Sequence, residues 1–96
     1  MGIFNLGKVY TLKMRMRKFV NKDNYETVMN RDVILNTIRG VCKSGDVGRG
    51  LTSLTSIEIS DDIIIARIYA KEQSYFAVLS QVILSRLYAG VEVVSY

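Results

Sequence analysis

The most regular pattern in the chain is an alternation of apolar and polar residues near its N-terminus. The apolar positions are Tyr10, Leu12, Met14 and Met16, and the positions between them are Thr11, Lys13, Arg15 and Arg17. Successive side chains of a β-strand point to opposite faces of a sheet. The alternation therefore predicts a first strand with one face in the core and the other in water.

A polar stretch follows the strand, and apolar residues then recur at helical spacing. Residues 20–30 lack a clear period, which indicates a connection with at most a helical turn around Tyr25. Asn30 suits a helix N-cap, and Asp32 complements the dipole in the first turn. The expected buried stripe is Ile34, Leu35, Ile38, Val41 and Cys42. Gly45 ends this helix and opens a glycine-rich loop to Gly50.

Residues 54–70 have the pattern of a β-hairpin. Two strand-like runs, LTSIEIS and IIIARIYA, are separated by Asp61 and Asp62, which tolerate left-handed turn conformations. A two-residue turn sets the register and places one group on the core face: Ile57, Ile59, Ile64, Ala66 and Ile68. The residues expected on the opposite face are Leu54, Glu58, Ile63, Ile65, Arg67 and Tyr69.

From Glu72 onward the spacing predicts a long helix. Its core stripe consists of Phe76, Leu79, Ile83, Leu87, Val91 and Val94. Further apolar residues lie off that stripe: Tyr75, Val78, Val82, Leu84 and Tyr88. This is more apolar surface than a small sheet covers, so a partner protein is expected to contact the helix. The interface candidates are Tyr75, Val78, Val82 and Tyr88.

The last six residues, VEVVSY, leave two folds open. If they continue the helix beyond Gly90, the order is β-α-β-β-α with a three-stranded sheet. If they form a fourth strand, the order is β-α-β-β-α-β, the ferredoxin-like order of RNA-recognition domains.

The composition indicates one small globular domain, residues 1–96, and excludes several kinds of site. The chain is 49% hydrophobic and contains no proline and no histidine. Its one cysteine, Cys42, excludes an internal disulfide, and no metal-ligand spacing exists. The start, MGIFNLGKVY, has no signal or lipidation pattern, and residues 75–94 carry too many polar residues for a membrane span. A cytoplasmic protein is the expectation.

The charge is uneven along the chain. Residues 1–50 contain ten Lys or Arg and four Asp or Glu, whereas residues 51–96 contain three and five. A basic N-terminal half favours an anionic partner such as RNA. The RNA-binding candidates are Lys13, Arg15, Arg17, Arg39, Lys43 and Arg49. Charged residues on a strand also prevent unwanted edge pairing, and a solvated helix face explains Arg39 and Lys43 equally well.

No motif in the chain predicts catalysis or a bound cofactor. The SGDVGRG loop lacks the Gly-Lys-Ser/Thr ending of a phosphate-binding loop and follows a helix, where such a loop would precede one. Asp61 and Asp62 offer too few oxygens for a cation. Cys42 has no histidine to activate it, so a structural thiol is expected.

The segment from the hairpin to the C-terminus resembles the small dimerising subunit of the KEOPS complex. In SLTSIEISDDIIIARIYAKEQSYFAVLSQVILSRLYAGVEVVSY, Ala70, Lys71 and Glu72 occupy the family's strand-to-helix junction. Gln81 takes a position that is usually Asn. The apolar spacing of the family's helix is matched by Leu84, Leu87 and Val91. The resemblance covers about half of the 96-residue chain.

The resemblance implies a fold and a function. The fold is α+β, with a three-stranded antiparallel sheet, two helices on one face, and a long last helix that includes residues 91–96. The function is non-catalytic: the subunit forms a homodimer or a heterodimer with a related small subunit and docks onto the ATPase-fold catalytic subunit. It also helps to bind tRNA during threonylcarbamoyl-adenosine modification.

Two other functions remain open from the sequence. One is a freestanding, ferredoxin-like RNA-binding protein, similar in layout to the RRM-like protein of RNase P, for which Tyr69 offers one base-stacking surface. The other is an accessory protein that dimerises without binding nucleic acid.

Overall fold

The computed structural model describes residues 7–20, 22–44, 50–87 and 90–96. Eight elements follow one another along the chain: β1 (Lys8–Met16), β2 (Phe19–Val20), β3 (Glu26–Thr27), α1 (Arg31–Ser44), β4 (Thr52–Ser60), β5 (Ile63–Ala70), α2 (Gln73–Leu87) and β6 (Val91–Ser95). Strands β2 and β3 form a small ribbon of their own between β1 and α1.

The main sheet has four antiparallel strands in the order β4-β5-β1-β6. Both helices pack on one face of this sheet and against each other. Apart from the inserted ribbon, the element order is β-α-β-β-α-β, with β1 between β5 and β6. This is the ferredoxin-like arrangement.

The prediction of a three-stranded sheet with a long final helix is wrong, because residues 91–95 form β6. Helix α2 ends at Leu87, and β6 pairs antiparallel with β1, placing Val91 opposite Met16. Three of the five residues of β6 are valines, whose branched side chains favour strands. Without β6, β1 would be an edge strand with unpaired backbone groups. Pairing with β1 therefore outweighs the helical spacing.

The core lies between the helices and the sheet, as the alternation of the first strand predicts. Leu12 and Met14 of β1 are fully buried, and Met16 is nearly so. The first four residues of the predicted stripe in α2 are buried: Phe76, Leu79, Ile83 and Leu87. Tyr10 stacks on Phe76 with ring centroids 5.0 Å apart, which joins the strand to the helix.

The hairpin of β4 and β5 has the expected turn and one unexpected irregularity. Asp61 adopts a left-handed φ of 56°, and Ser60 pairs with Ile63. A bulge between Leu54 and Ser56 shifts the register by one residue. Leu54 therefore packs against the core, whereas regular alternation predicts it on the opposite face.

Helix α1 begins as its sequence predicts. The Asn30 side-chain oxygen accepts hydrogen bonds from the backbone N–H groups of Asp32 (2.7 Å) and Val33 (3.4 Å). Ile34, Ile38 and Val41 form its buried stripe.

The described residues around Tyr25 do not form the expected helical turn. Strands β2 and β3 pair as a ribbon, in which Phe19 lies opposite Thr27, and Asn24 has a left-handed φ of 65°. Asn tolerates this conformation in a tight turn, and that favours a ribbon over a helical turn.

One buried polar group predicts the effect of a substitution on stability. Ser80 of α2 is 1% exposed, and its hydroxyl has no hydrogen-bond partner among the described residues. Burying an unpaired hydroxyl costs on the order of 1–3 kcal/mol. We expect Ser80→Ala to raise the free energy of unfolding by ~1 kcal/mol, as measured by urea denaturation.

The matched control is Ser85→Ala, which gives the same gain in helix propensity at an exposed position of α2. If Ser80→Ala is no more stabilising than this control, the hydroxyl is satisfied in solution.

Candidate nucleic-acid interface

The candidate binding surface is the face of the main sheet that lies away from the helices. We call this surface the open face. Strand pairing aligns its positions, because Lys13 lies opposite Ile65 and Thr11 lies opposite Arg67. The residues of β1 and β5 on the open face are Val9, Thr11, Lys13, Arg15, Ile63, Ile65, Arg67 and Tyr69. Glu58 of β4 and Glu92 of β6 extend it on either side.

Two of the three cations on the open face form ion pairs with carboxylates. Arg15 lies between two carboxylates, 3.7 Å from that of Asp62 and 3.5 Å from that of Glu92. Arg67 is 3.0 Å from a carboxylate oxygen of Glu58. Three cations thus face three carboxylates, which makes the face neutral as a whole.

Lys13 is the cation of this face that makes no ion pair within the described part of the chain. It lies next to Ile65 on one side and Ser95 on the other, and it is half-buried. Its ammonium group is therefore available to an anionic ligand.

The ion pairs of Arg15 and Arg67 lie on half-exposed side chains. Each of the five residues in these ion pairs has a side-chain exposure between 41% and 56%. Exposed ion pairs of this kind contribute roughly 0–1 kcal/mol and are screened by salt. A phosphate can therefore displace a carboxylate from Arg15 or Arg67 with little loss of stability.

The aromatic content of the open face is low. Tyr69 is half-buried there, and no other aromatic residue occupies a described position of β1 or β5 on this face. RNA-recognition domains stack two or three bases on aromatic side chains of the equivalent strands. Tyr69 offers one such surface, and Ile63 and Ile65 offer half-buried apolar contacts beside it.

The six RNA-binding candidates are divided among different parts of the molecule. Lys13 and Arg15 lie together on the open face. Arg17 follows β1, and its side-chain Nε donates a hydrogen bond to the Val91 carbonyl at 3.1 Å, which holds β6 in place. Arg39 and Lys43 lie on α1, on the other side of the sheet. Arg49 is outside the described residues.

Arg39 and Lys43 border a groove between α1 and β4. The groove has a volume of about 370 Å³ and is lined by Arg39, Cys42, Lys43, Thr52, Ser53 and Leu54. No acidic residue is among these described lining residues. Alternation along single elements could not reveal this groove, because it depends on which strand α1 packs beside.

Two of the four interface candidates are less exposed than the sequence suggests. Tyr75 and Val82 are half-buried against the core, whereas Val78 is 52% exposed. Tyr88 lies outside the described residues. The core therefore covers part of the apolar surface of α2 for which a partner was inferred.

The described residues contain no cluster of three or more metal-ligating side chains. None of the helices in the described ranges has the length and hydropathy needed to cross a membrane.

In comparisons with known proteins, the chain matches no family model, no curated protein and no solved structure. The fold and the surface described above therefore define the class: a small α+β domain of ferredoxin-like layout with one sheet face that neither helix covers.

The environment of Cys42 predicts its reactivity. Burial raises the pKa of the Cys42 thiol above its ordinary value of 9.0, because the thiolate would lose hydration. We expect iodoacetamide to alkylate the native protein more slowly at pH 8 than the urea-unfolded chain, and we expect the pH at which the native rate is half-maximal to lie above that of the unfolded chain.

The unfolded chain is the control for the intrinsic reactivity of the thiol. A native rate whose half-maximal pH lies below that of the unfolded chain would show that Arg39 and Lys43 stabilise the thiolate more than burial disfavours it.

Proposed function

We propose that this protein is a non-catalytic RNA-binding domain that receives single-stranded RNA on the open face of its sheet. The observation that carries the proposal is β6. With this strand, the chain has the complete β-α-β-β-α-β order, and both helices lie on one face, so that neither helix covers the other face of the four strands. Domains of this layout bind single strands on that face.

The chemistry of the open face supports the same proposal. Lys13 and Arg15 are successive cations of one strand on this face, spaced by about 6.8 Å, a distance at which they can follow a nucleic-acid backbone. Tyr69 provides a ring for base stacking, worth roughly 1–3 kcal/mol per base. The overall charge of +4 favours association with a polyanion.

Because Asp62 and Glu92 neutralise Arg15, the proposal predicts that removing these two carboxylates strengthens RNA binding. If RNA phosphate competes with Asp62 and Glu92 for Arg15, then Asp62→Asn with Glu92→Gln removes the competitors. We expect this double variant to bind a single-stranded oligoribonucleotide about threefold to tenfold more tightly by fluorescence anisotropy at low salt. Lys13→Ala should weaken binding and reduce the salt slope by about one.

The matched control is Asp23→Asn with Glu26→Gln, which changes the net charge equally within the β2–β3 segment. It should alter the affinity by less than about twofold, because neither residue belongs to the main sheet. Equal effects of the two double variants would indicate only non-specific attraction, and RNA binding at the open face would be refuted.

A second candidate function is the KEOPS-like role as a dimerising subunit that docks onto the ATPase-fold subunit and helps to bind tRNA. Residues 52–87 support it, because they form a strand, a two-residue turn, a strand ending at Ala70 and a helix that follows after two residues. The strand at residues 91–95 argues against it, since the resemblance implies a continued helix.

Co-purification tests the second candidate. A tagged chain should retrieve an ATPase-fold subunit or a second small subunit from its native lysate. Val78→Glu should abolish retrieval, because Val78 is the most exposed of the described interface candidates on α2. Val33→Glu, a substitution of similar exposure on α1, should leave it intact. Retrieval of neither protein, or equal loss with both variants, contradicts docking through α2.

A further inference from the structure

Strand β4 forms one edge of the main sheet. It has nine residues and pairs with β5 alone among the described strands. In an edge strand, about half of the backbone N–H and C=O groups point away from the sheet. This edge is thus a template to which another strand can add.

The β4 edge lacks most of the features that normally prevent strand addition. Proteins protect such edges with lysine, proline, bulges or short strands. Strand β4 contains no lysine, arginine or proline, and its one acidic residue, Glu58, pairs with Arg67 on the open face. Its bulge lies near its start, between Leu54 and Ser56, which leaves residues 56–60 regular. By contrast, β6 at the other edge has five residues and an irregular register.

The groove beside the first residues of β4 gives this edge a charge preference. Arg39 and Lys43 are both exposed, and neither makes an ion pair within the described ranges. They lie across the groove from Thr52, Ser53 and Leu54. We infer that the groove between α1 and β4 receives an extended acidic peptide of another protein, which adds to the sheet as a strand next to β4.

The spacing of the two cations suggests the sequence of the peptide. Arg39 and Lys43 are four residues apart on a helix, a rise of about 6 Å. Alternate residues of an extended strand are separated by about 6.8 Å and point to the same face. Carboxylates at two alternate positions of the added strand therefore match the two cations, while the residues between them face the open side.

A second copy of this chain fits the groove less well. The side chains that β4 directs to the helix side are Thr52, Leu54, Ile57 and Ile59, which carry no negative charge. Pairing of two β4 strands would therefore leave Arg39 and Lys43 without a counter-charge, in two chains that each carry +4. Charge complementarity favours a foreign acidic strand.

Synthetic ten-residue peptides test the inference. A fluorescent peptide of alternating valine and glutamate should bind the full chain, weaken with salt, and protect Cys42 from iodoacetamide, because Cys42 lines the groove. An alternating valine–lysine peptide should not bind. The same valine–glutamate peptide with every backbone nitrogen methylated should also fail, because it has no backbone N–H group to donate to β4.

Two sets of variants locate the site. Arg39→Glu with Lys43→Glu should weaken binding at least tenfold. Lys71→Glu with Arg86→Glu, an equal change of charge at exposed positions outside the groove, should change it less than twofold. Two further peptides are N-methylated at alternate residues, one at the odd-numbered and one at the even-numbered positions. One of them should not bind and the other should bind normally, since only one edge of an added strand pairs with β4.

Several results would overturn the inference. They are equal binding of the fully N-methylated peptide, equal effects of the two charge-reversal pairs, loss of binding with both alternate N-methylation patterns, or no binding of the valine–glutamate peptide at millimolar concentration. Single-stranded RNA that protects Cys42 and displaces the peptide would assign the groove to nucleic acid. Because Lys13 lies on the opposite face, Lys13→Ala should leave peptide binding unchanged even if RNA binding at the open face is refuted.

Discussion

The pairing of β1 with strands on both of its sides is the interaction on which the rest of the structure depends. Strand β1 is antiparallel to β5 along most of its length and to β6 near its C-terminal end. Its helix-side residues, including Leu12 and Met14, are fully buried beneath α2. Its other residues, including Lys13 and Arg15, form the centre of the open face. Because one strand contributes to both surfaces, a shift of its register by one residue would expose the core and bury the charges.

This pairing also decides the electrostatics of the two surfaces. The open face gathers carboxylates from the hairpin turn and from β6 around Arg15, although Asp62 and Glu92 are far from it in sequence. The open face is therefore neutral, with cations that exchange partners at low cost. The groove beside β4 has the opposite character, because Arg39 and Lys43 have no carboxylate among the described lining residues. One small domain thus presents two chemically distinct surfaces on opposite sides of its sheet.

The structure also changes the reason for expecting a partner protein. From sequence, the abundance of apolar residues on α2 argues for a protein that covers them. In the folded chain, α1 and the sheet cover Tyr75 and Val82 in part, and Val78 is left as the main exposed apolar residue of the helix. The better-defined unpaired feature is the backbone edge of β4. Backbone hydrogen bonds and charge therefore give a more specific basis for partner binding here than apolar area does.

The sequence alone determined the features that arise within single elements. Alternation in β1, the N-cap at Asn30, the turn at Asp61 and the buried stripe of α2 all follow from local periodicity and turn chemistry, and the structure confirms them. Only the tertiary structure decided the features that depend on pairing between distant segments. Residues 91–95 fit a helix or a strand locally. They form a strand because its backbone pairs with groups of β1 that would otherwise lie unpaired at the edge of the sheet. The bulge that buries Leu54, the carboxylates around Arg15 and the groove beside β4 have the same origin, because each arises where two segments far apart in the chain meet.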